Sequence, residues 1–138
     1  MRRQEEWEAI LFYRNGRRKT EDFYEKGEQS GKQLEFYEHG PLEWEYSYRK
    51  GEKDGRQLLY ENGKVKWEYW FEAGKKHGKQ FFYEEGRLKR EQQFEKGRQQ
   101  GKQLVYHRNG KVFSESMFED GEQHGRETIY LMSGEMKN

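Results

Sequence analysis

Residues 62–86 read NGKVKWEYWFEAGKKHGKQFFYEEG. Within this stretch Gly63, Gly74, Gly78 and Gly86 stand at intervals of 11, 4 and 8, and the rest of the chain repeats the rhythm. Glycines fall at 16, 27, 31, 40, 51, 55, 63, 74, 78, 86, 97, 101, 110, 121, 125 and 134; those are all sixteen, and each keeps the spacing. A period of about 23–24 residues marks a repeat protein, in which every unit buries its surface against its neighbours. The 138 residues form one domain. It divides into a half repeat (8–15), five full repeats (16–39, 40–62, 63–85, 86–109, 110–133) and a truncated repeat (134–138). Trp7 stands where the later repeats carry a glycine, and Phe12 where they carry an aromatic.

Inside a repeat the period is two, the signature of a β-strand. Val65, Trp67, Tyr69 and Phe71 alternate with Lys64, Lys66, Glu68, Trp70 and Glu72. Asn62-Gly63 is a hairpin signal, because a type I′ turn needs positive φ at both central residues. It pairs Glu61 with Lys64 and Tyr60 with Val65. Arg108-Asn109-Gly110 is a three-residue loop pairing His107 with Lys111. The intervening segment Gly74–Gly78 reads as a five-residue loop, which sets Phe71 opposite Phe81 and Trp70 opposite Phe82. The expected fold is all-β: an antiparallel meander of about eleven strands, twisted and curled.

Two sets of apolar positions follow from that register. Tyr24, Tyr48, Phe71, Phe94 and Phe118 should share one face with Phe36, Tyr60, Tyr83, Tyr106 and Tyr130 and form an aromatic core. Enclosed in a trough, Phe71 would cost about 3–5 kcal/mol on truncation to alanine. The other face should carry an apolar stripe, Leu59, Trp70, Phe82, Val105, Met117 and Ile129, which is a candidate partner-binding surface if uncovered. Three of the four tryptophans (Trp44, Trp67, Trp70) concentrate near its middle.

Composition narrows the chemistry. Leu, Ile and Val number 13 against 23 aromatics, so rings must supply the packing. Net charge is +1 with 38% charged residues, an alternating balance that argues against a nucleic-acid footprint. There is no cysteine, hence neither a disulfide framework nor thiol chemistry. The longest early apolar run, Ile10–Tyr13, is far shorter than a signal-peptide core or a membrane span, so the sequence predicts a soluble cytoplasmic protein. Serine is scarce, and no histidine stands with a nucleophile and an acid; the expectation is no enzyme and no cofactor. His39, His77, His107 and His124 sit in or beside turns without metal-ligand spacing. Glu21, Glu45, Glu68, Glu91 and Glu115 recur at one position, and Lys32, Arg56, Lys79, Lys102 and Arg126 at another. The first set reads as a solvated ladder and the second as a basic rail whose field the glutamates cancel.

The motif Tyr60-Glu61-Asn62-Gly63-Lys64, Glu68, Phe71, Gly74, His77-Gly78-Lys79 resembles the MORN repeat in its shorter bacterial form. Tyr106, Asn109-Gly110-Lys111, Glu115, Phe118, Gly121 and His124-Gly125-Arg126 match again. The resemblance covers residues 8–134; Glu85-Gly86 and His39-Gly40 depart from Asn-Gly. It implies a twisted hairpin array that contacts proteins or membranes, among them antitoxin or immunity partners of the YwqK type. The expected function is therefore a protein-interaction scaffold, with a toxin as one kind of partner. Two alternatives stay open: glycan or cell-wall polymer binding by stacked aromatics, and anionic-lipid (phosphoinositide) binding by the basic rail. A homodimer, through the stripe or edge to edge, is also compatible with the pattern.

Overall fold

A computed structural model describes residues 6–137. The chain forms one open antiparallel sheet, and no helix occurs among the described residues. Eleven long strands follow one another across it: β1 (Glu6–Phe12), β2 (Arg18–Glu25), β4 (Gly31–Phe36), β5 (Leu42–Arg49), β7 (Gly55–Glu61), β8 (Lys64–Glu72), β10 (Gly78–Glu84), β11 (Arg87–Glu95), β13 (Gly101–Tyr106), β14 (Val112–Glu119) and β15 (Glu122–Ile129). Four two-residue strands complete it: β3 (Glu28–Gln29), β6 (Glu52–Lys53), β9 (Lys75–Lys76) and β12 (Arg98–Gln99). The meander expected from the glycine rhythm is the observed fold.

The turns explain the rhythm. Asn62 and Gly63 have φ of 53° and 76° and join Glu61 to Lys64, as a type I′ turn requires. The three-residue loop at 108–110 is also as expected: His107 N–H donates to Lys111 O and Gly110 N–H to His107 O. The connection at 74–78 differs from the expected five-residue loop. Ala73 (φ 47°) and Gly74 (φ 82°) form a second two-residue turn, which pairs Glu72 with Lys75 and Phe71 with Lys76. Lys26-Gly27, Lys50-Gly51, Lys96-Gly97 and Asp120-Gly121 adopt the same geometry. The sequence hides most of these turns because their first residue is Ala or Lys rather than Asn or Asp. A non-glycine residue enters the left-handed region there because the tight strand pairing on both sides requires it.

After each two-residue strand the chain bulges, and the long pairing resumes with Glu68 opposite Phe81 and Trp67 opposite Phe82. That is three positions from the expected pairing, and the same offset recurs at Glu21–Leu34, Glu45–Leu58 and Glu91–Leu104. An odd offset moves side chains to the opposite face. The expected faces are therefore corrected. One face carries Tyr24, Tyr48, Phe71, Phe94 and Phe118, and with them Leu59, Phe82, Val105 and Ile129. The other carries Phe36, Tyr60, Tyr83 and Tyr106, with Tyr130 next in the alternation, together with Leu34, Leu58, Phe81, Leu104, the glutamate ladder, Trp70 and Met117. Neither the expected aromatic core set nor the expected stripe lies on a single face.

Glutamines hold the bulge. Gln33, Gln57 and Gln80, two positions beyond the glycines at 31, 55 and 78, are 1% exposed. Trp70 N–H donates to Gln80 Oε1 at 2.7 Å, and Gln80 Nε2 donates to Trp70 O at 2.9 Å. Gln57 clasps Ser47 in the same way (2.9 and 3.0 Å), and Gln33 clasps Phe23 (2.8 and 2.9 Å). A side-chain amide carries the same donor and acceptor as a peptide, so it satisfies the backbone pair that the bulge leaves open. The fourth glutamine, Gln103, instead accepts from Gln92 and Gln99. We call the side bearing these residues the glutamine face and the other the glutamate face.

Among the described residues the sheet has no second layer. Leu58, 4% exposed, is the only apolar residue among the described ones that is buried. The accessible surface is 9865 Å². A compact monomer of the same mass, 17.0 kDa, would show about 7700 Å². The expected enclosed aromatic core is corrected accordingly. The rings pack sideways along the sheet, half-buried by their neighbours.

Candidate interaction face

On the glutamine face, strand alternation places Trp44, Tyr46 and Tyr48 on β5 and Trp67, Tyr69 and Phe71 on β8. Residues i and i+2 of a strand share a face and lie close enough to stack. Trp44 stacks on Tyr46 with ring centroids 5.2 Å apart and planes 9° from parallel. Trp67 stacks on Tyr69 at 5.2 Å and 6°. Trp44 reaches Tyr69 across the intervening strand at 6.4 Å, and Trp67 meets Phe82 at 4.5 Å.

Cations lie over the remaining ring faces. Lys53 Nζ is 4.9 Å from the Tyr46 centroid and 5.4 Å from that of Phe71. Lys76 Nζ repeats the arrangement one unit on, 4.6 Å from Tyr69 and 5.2 Å from Phe94. The Arg90 guanidinium lies 5.5 Å from Trp67 and 5.4 Å from Phe82. Such contacts stabilise a partly desolvated cation by about 0.5–2 kcal/mol. Burial, and then the charge of Lys53, holds the Lys76 ammonium below the usual lysine range. Burial raises the Tyr69 phenol, against the opposing pull of Arg90. Among the described residues none of these three cations has a carboxylate within ion-pair distance. The carboxyl whose charge does reach Lys53 is that of Glu35, which accepts from the Tyr46 hydroxyl at 3.4 Å. Burial and the charge of Glu35 push the Tyr46 phenol far above its ordinary value.

The glutamate face neutralises itself. Lys32 pairs with Glu45 (3.5 Å), Lys79 with Glu91 (3.0 Å) and Lys102 with Glu115 (3.3 Å), so the basic rail and the acidic ladder interlock between neighbouring strands. Glu68 accepts from Trp70 Nε1 at 2.7 Å, and Glu91 from the Tyr106 hydroxyl at 2.8 Å.

Four of the six candidate stripe residues fall in one row across the glutamine face. The row runs Trp44, Leu59, Trp67, Phe82, Arg90, Val105, Ser114, Ile129. Trp70 (38% exposed) and Met117 (44% exposed) stand on the glutamate face instead. The cations Lys53, Lys76 and Arg90 escaped the sequence reading. For the two lysines the one signal was that the residue two after each turn glycine is always Gln or Lys: Gln29, Lys53, Lys76, Gln99 and Gln123.

A depression near one end of the strands is lined by His77, Phe94, Met117, Phe118 and His124. Its histidines face Glu72 at 3.5 Å and Glu119 at 3.9 Å, without a serine, threonine or cysteine in the lining. Among the described residues no group of three or more His, Asp or Glu could hold a metal ion, and no helix is long and apolar enough to cross a membrane.

No family model matches the chain, and neither does any curated protein. Among solved structures it is similar to a chain in the crystal structure of accessory secretory proteins 1, 2 and 3 of Streptococcus pneumoniae. That likeness has 12% identity and a TM-score of 0.32, and it covers 80% of this chain but 19% of the other. A superposition that loose bears on neither fold nor role.

Proposed function

We infer that this chain is a non-enzymatic protein-interaction scaffold whose working surface is the glutamine face. The observation that carries the reading is the aromatic array Trp44, Tyr46, Trp67, Tyr69 and Phe82, set on a single-layer sheet with nothing packed above it among the described residues. Large rings in a row, fixed by stacking before any partner arrives, give contact area at low entropic cost. The resemblance to MORN repeats adds a toxin to the kinds of protein such a face would hold.

Two features favour a protein over the other ligands. Sugar stacking needs open ring faces, whereas the faces of these rings are engaged by one another and by Lys53, Lys76 and Arg90. Anionic-lipid binding by the rail of Lys32, Lys79 and Lys102 would require those lysines to leave Glu45, Glu91 and Glu115.

The test is a pull-down from native lysate with the wild type and two variants shown by circular dichroism to be folded. Trp67→Ser/Phe82→Ser alters the glutamine face, and Trp70→Ser/Met117→Ser the glutamate face. The expected result is a protein retained by the wild type and by the second variant and lost with the first. Equal retention by all three, or no retained protein, would refute the reading.

A further inference from the structure

Lys53 and Lys76 occupy equivalent places in successive repeats. Each follows a two-residue turn and lies level with the row Tyr48, Phe71 and Phe94. Lys53 lies between β5 and β8, its carbonyl accepting from Gly74 N–H, and Lys76 lies on the far side of β8, its carbonyl accepting from Gly97 N–H, so β8 is the strand between them. They are thus two strand spacings apart, about 9.6 Å. The row continues on either side with Gln29 and Gln99, which pair with Tyr24 and Phe94. It is a line of long side chains ending in N–H groups, with two ammonium groups at its centre. Both ammonium groups lack an ion-pair partner among the described residues, whereas Lys32, Lys79 and Lys102 on the opposite face each have one.

A ligand that runs along this line must present carboxylates at that same interval. An extended β-strand cannot do so: its same-side residues fall about 6.7 or 13 Å apart. A polyproline-II segment can. It has three residues per turn and rises about 3.1 Å per residue, so every third side chain points the same way at intervals of about 9.3 Å. Such a segment is already ordered before binding, and aromatic-lined surfaces are its usual docking partners. Here Phe71 stands on the line between the two lysines and Phe94 just beyond Lys76, with Tyr46 and Tyr69 beside it.

We propose that the glutamine face docks a polyproline-II segment of a partner protein that carries an acidic residue at every third position, with consecutive carboxylates on Lys53 and Lys76. This rests on the scaffold reading above and names the chemistry of its partner.

The probe is a fluorescein-labelled peptide of five Glu-Pro-Pro units, titrated with the full chain and followed by anisotropy. Comparison peptides carry Lys-Pro-Pro units, or Glu-Pro-Pro-Pro units that move the acidic spacing off the interval. The wild type should bind the Glu-Pro-Pro peptide at least about ten-fold more tightly than either, and affinity should fall with added salt. Lys53→Met/Lys76→Met keeps the apolar stems over the rings and removes both charges; with an unchanged melting curve it should weaken binding about ten-fold. Lys79→Met/Lys102→Met, on the other face, should bind as the wild type does. Equal affinity for the two acidic spacings, no loss in Lys53→Met/Lys76→Met, or no binding to the wild type overturns the proposal. So does equal displacement of the peptide by heparin, which would make the line a general polyanion site. These failures leave the lysate experiment untouched, because it depends on Trp67 and Phe82.

Discussion

Replacing Gln80 by alanine tests the central structural claim, that a side-chain amide completes the backbone ladder at the bulge. Gln80 is 1% exposed, accepts from Trp70 N–H at 2.7 Å and donates to Trp70 O at 2.9 Å. Trp70 O has a second donor in His77 N–H at 2.9 Å, so the carbonyl stays satisfied after the substitution. The Trp70 N–H does not. The donor lies beneath a glutamine side chain that is 1% exposed, and left unpaired there it costs about 1–3 kcal/mol, with the second lost hydrogen bond about 1 kcal/mol more. Gln80→Ala should therefore destabilise by about 2–4 kcal/mol in denaturant melts. Because repeats contact mainly their neighbours, the loss should appear locally: hydrogen exchange of the Trp70 amide should quicken while that of Val105 changes little. Gln80→Glu sharpens the test. An ionised carboxylate accepts from Trp70 N–H but turns a second acceptor toward Trp70 O. Burial and that carbonyl should raise its folded pKa above the unfolded value of about 4.3. The variant should then be most stable below the unfolded pKa, where the carboxyl is protonated and donates. It should lose that stability as pH rises through the folded pKa. A cost below about 0.5 kcal/mol for Gln80→Ala, with Trp70 exchange unchanged, would mean that the clasp does not hold the bulge.

Other predictions concern turns, rings and titration. Ala73 holds φ at 47°. Ala73→Gly should accordingly stabilise the chain by about 0.5–1 kcal/mol in the same melts, through relief of left-handed strain. Phe71 is only half-buried, so Phe71→Ala should cost about 1.5–2.5 kcal/mol by denaturant melting, below the ~3–5 kcal/mol expected for an enclosed ring. Burial, with the hydrogen bond to Glu91 next, pushes the Tyr106 phenol up to about 12. The folded state thus holds a proton that the unfolded chain releases near pH 10, and stability should fall as pH rises from about 10 to 12. Tyr106→Phe should flatten part of that fall, measured as melting temperature against pH.

The repeat, its length and the order of the strands are legible in the amino acids alone. Glycine is needed wherever the chain must turn tightly with positive φ, and sixteen glycines in register leave a meander as the arrangement that fits. The Asn62-Gly63 and Arg108–Gly110 turns are legible too, because their residues have strong preferences, and so is the mutual cancellation of the glutamate and lysine rows. Which side chains share a face became clear only in the folded sheet. That choice hangs on parity, and parity hangs on two-residue turns such as Ala73-Gly74 and on the bulge after them. Neither has a strong local signature, since Ala73 enters the left-handed region only under the pull of pairing on both sides. The missed signal was the glutamine at 33, 57, 80 and 103. At the first three its partner is backbone, and such a partner is invisible to side-chain pattern. One odd offset moved Leu59 and Phe82 to the side of Phe71 and left Trp70 and Met117 on the other. It also brought Lys53 and Lys76 over the rings, where the bare sequence shows only two more lysines in a charged chain.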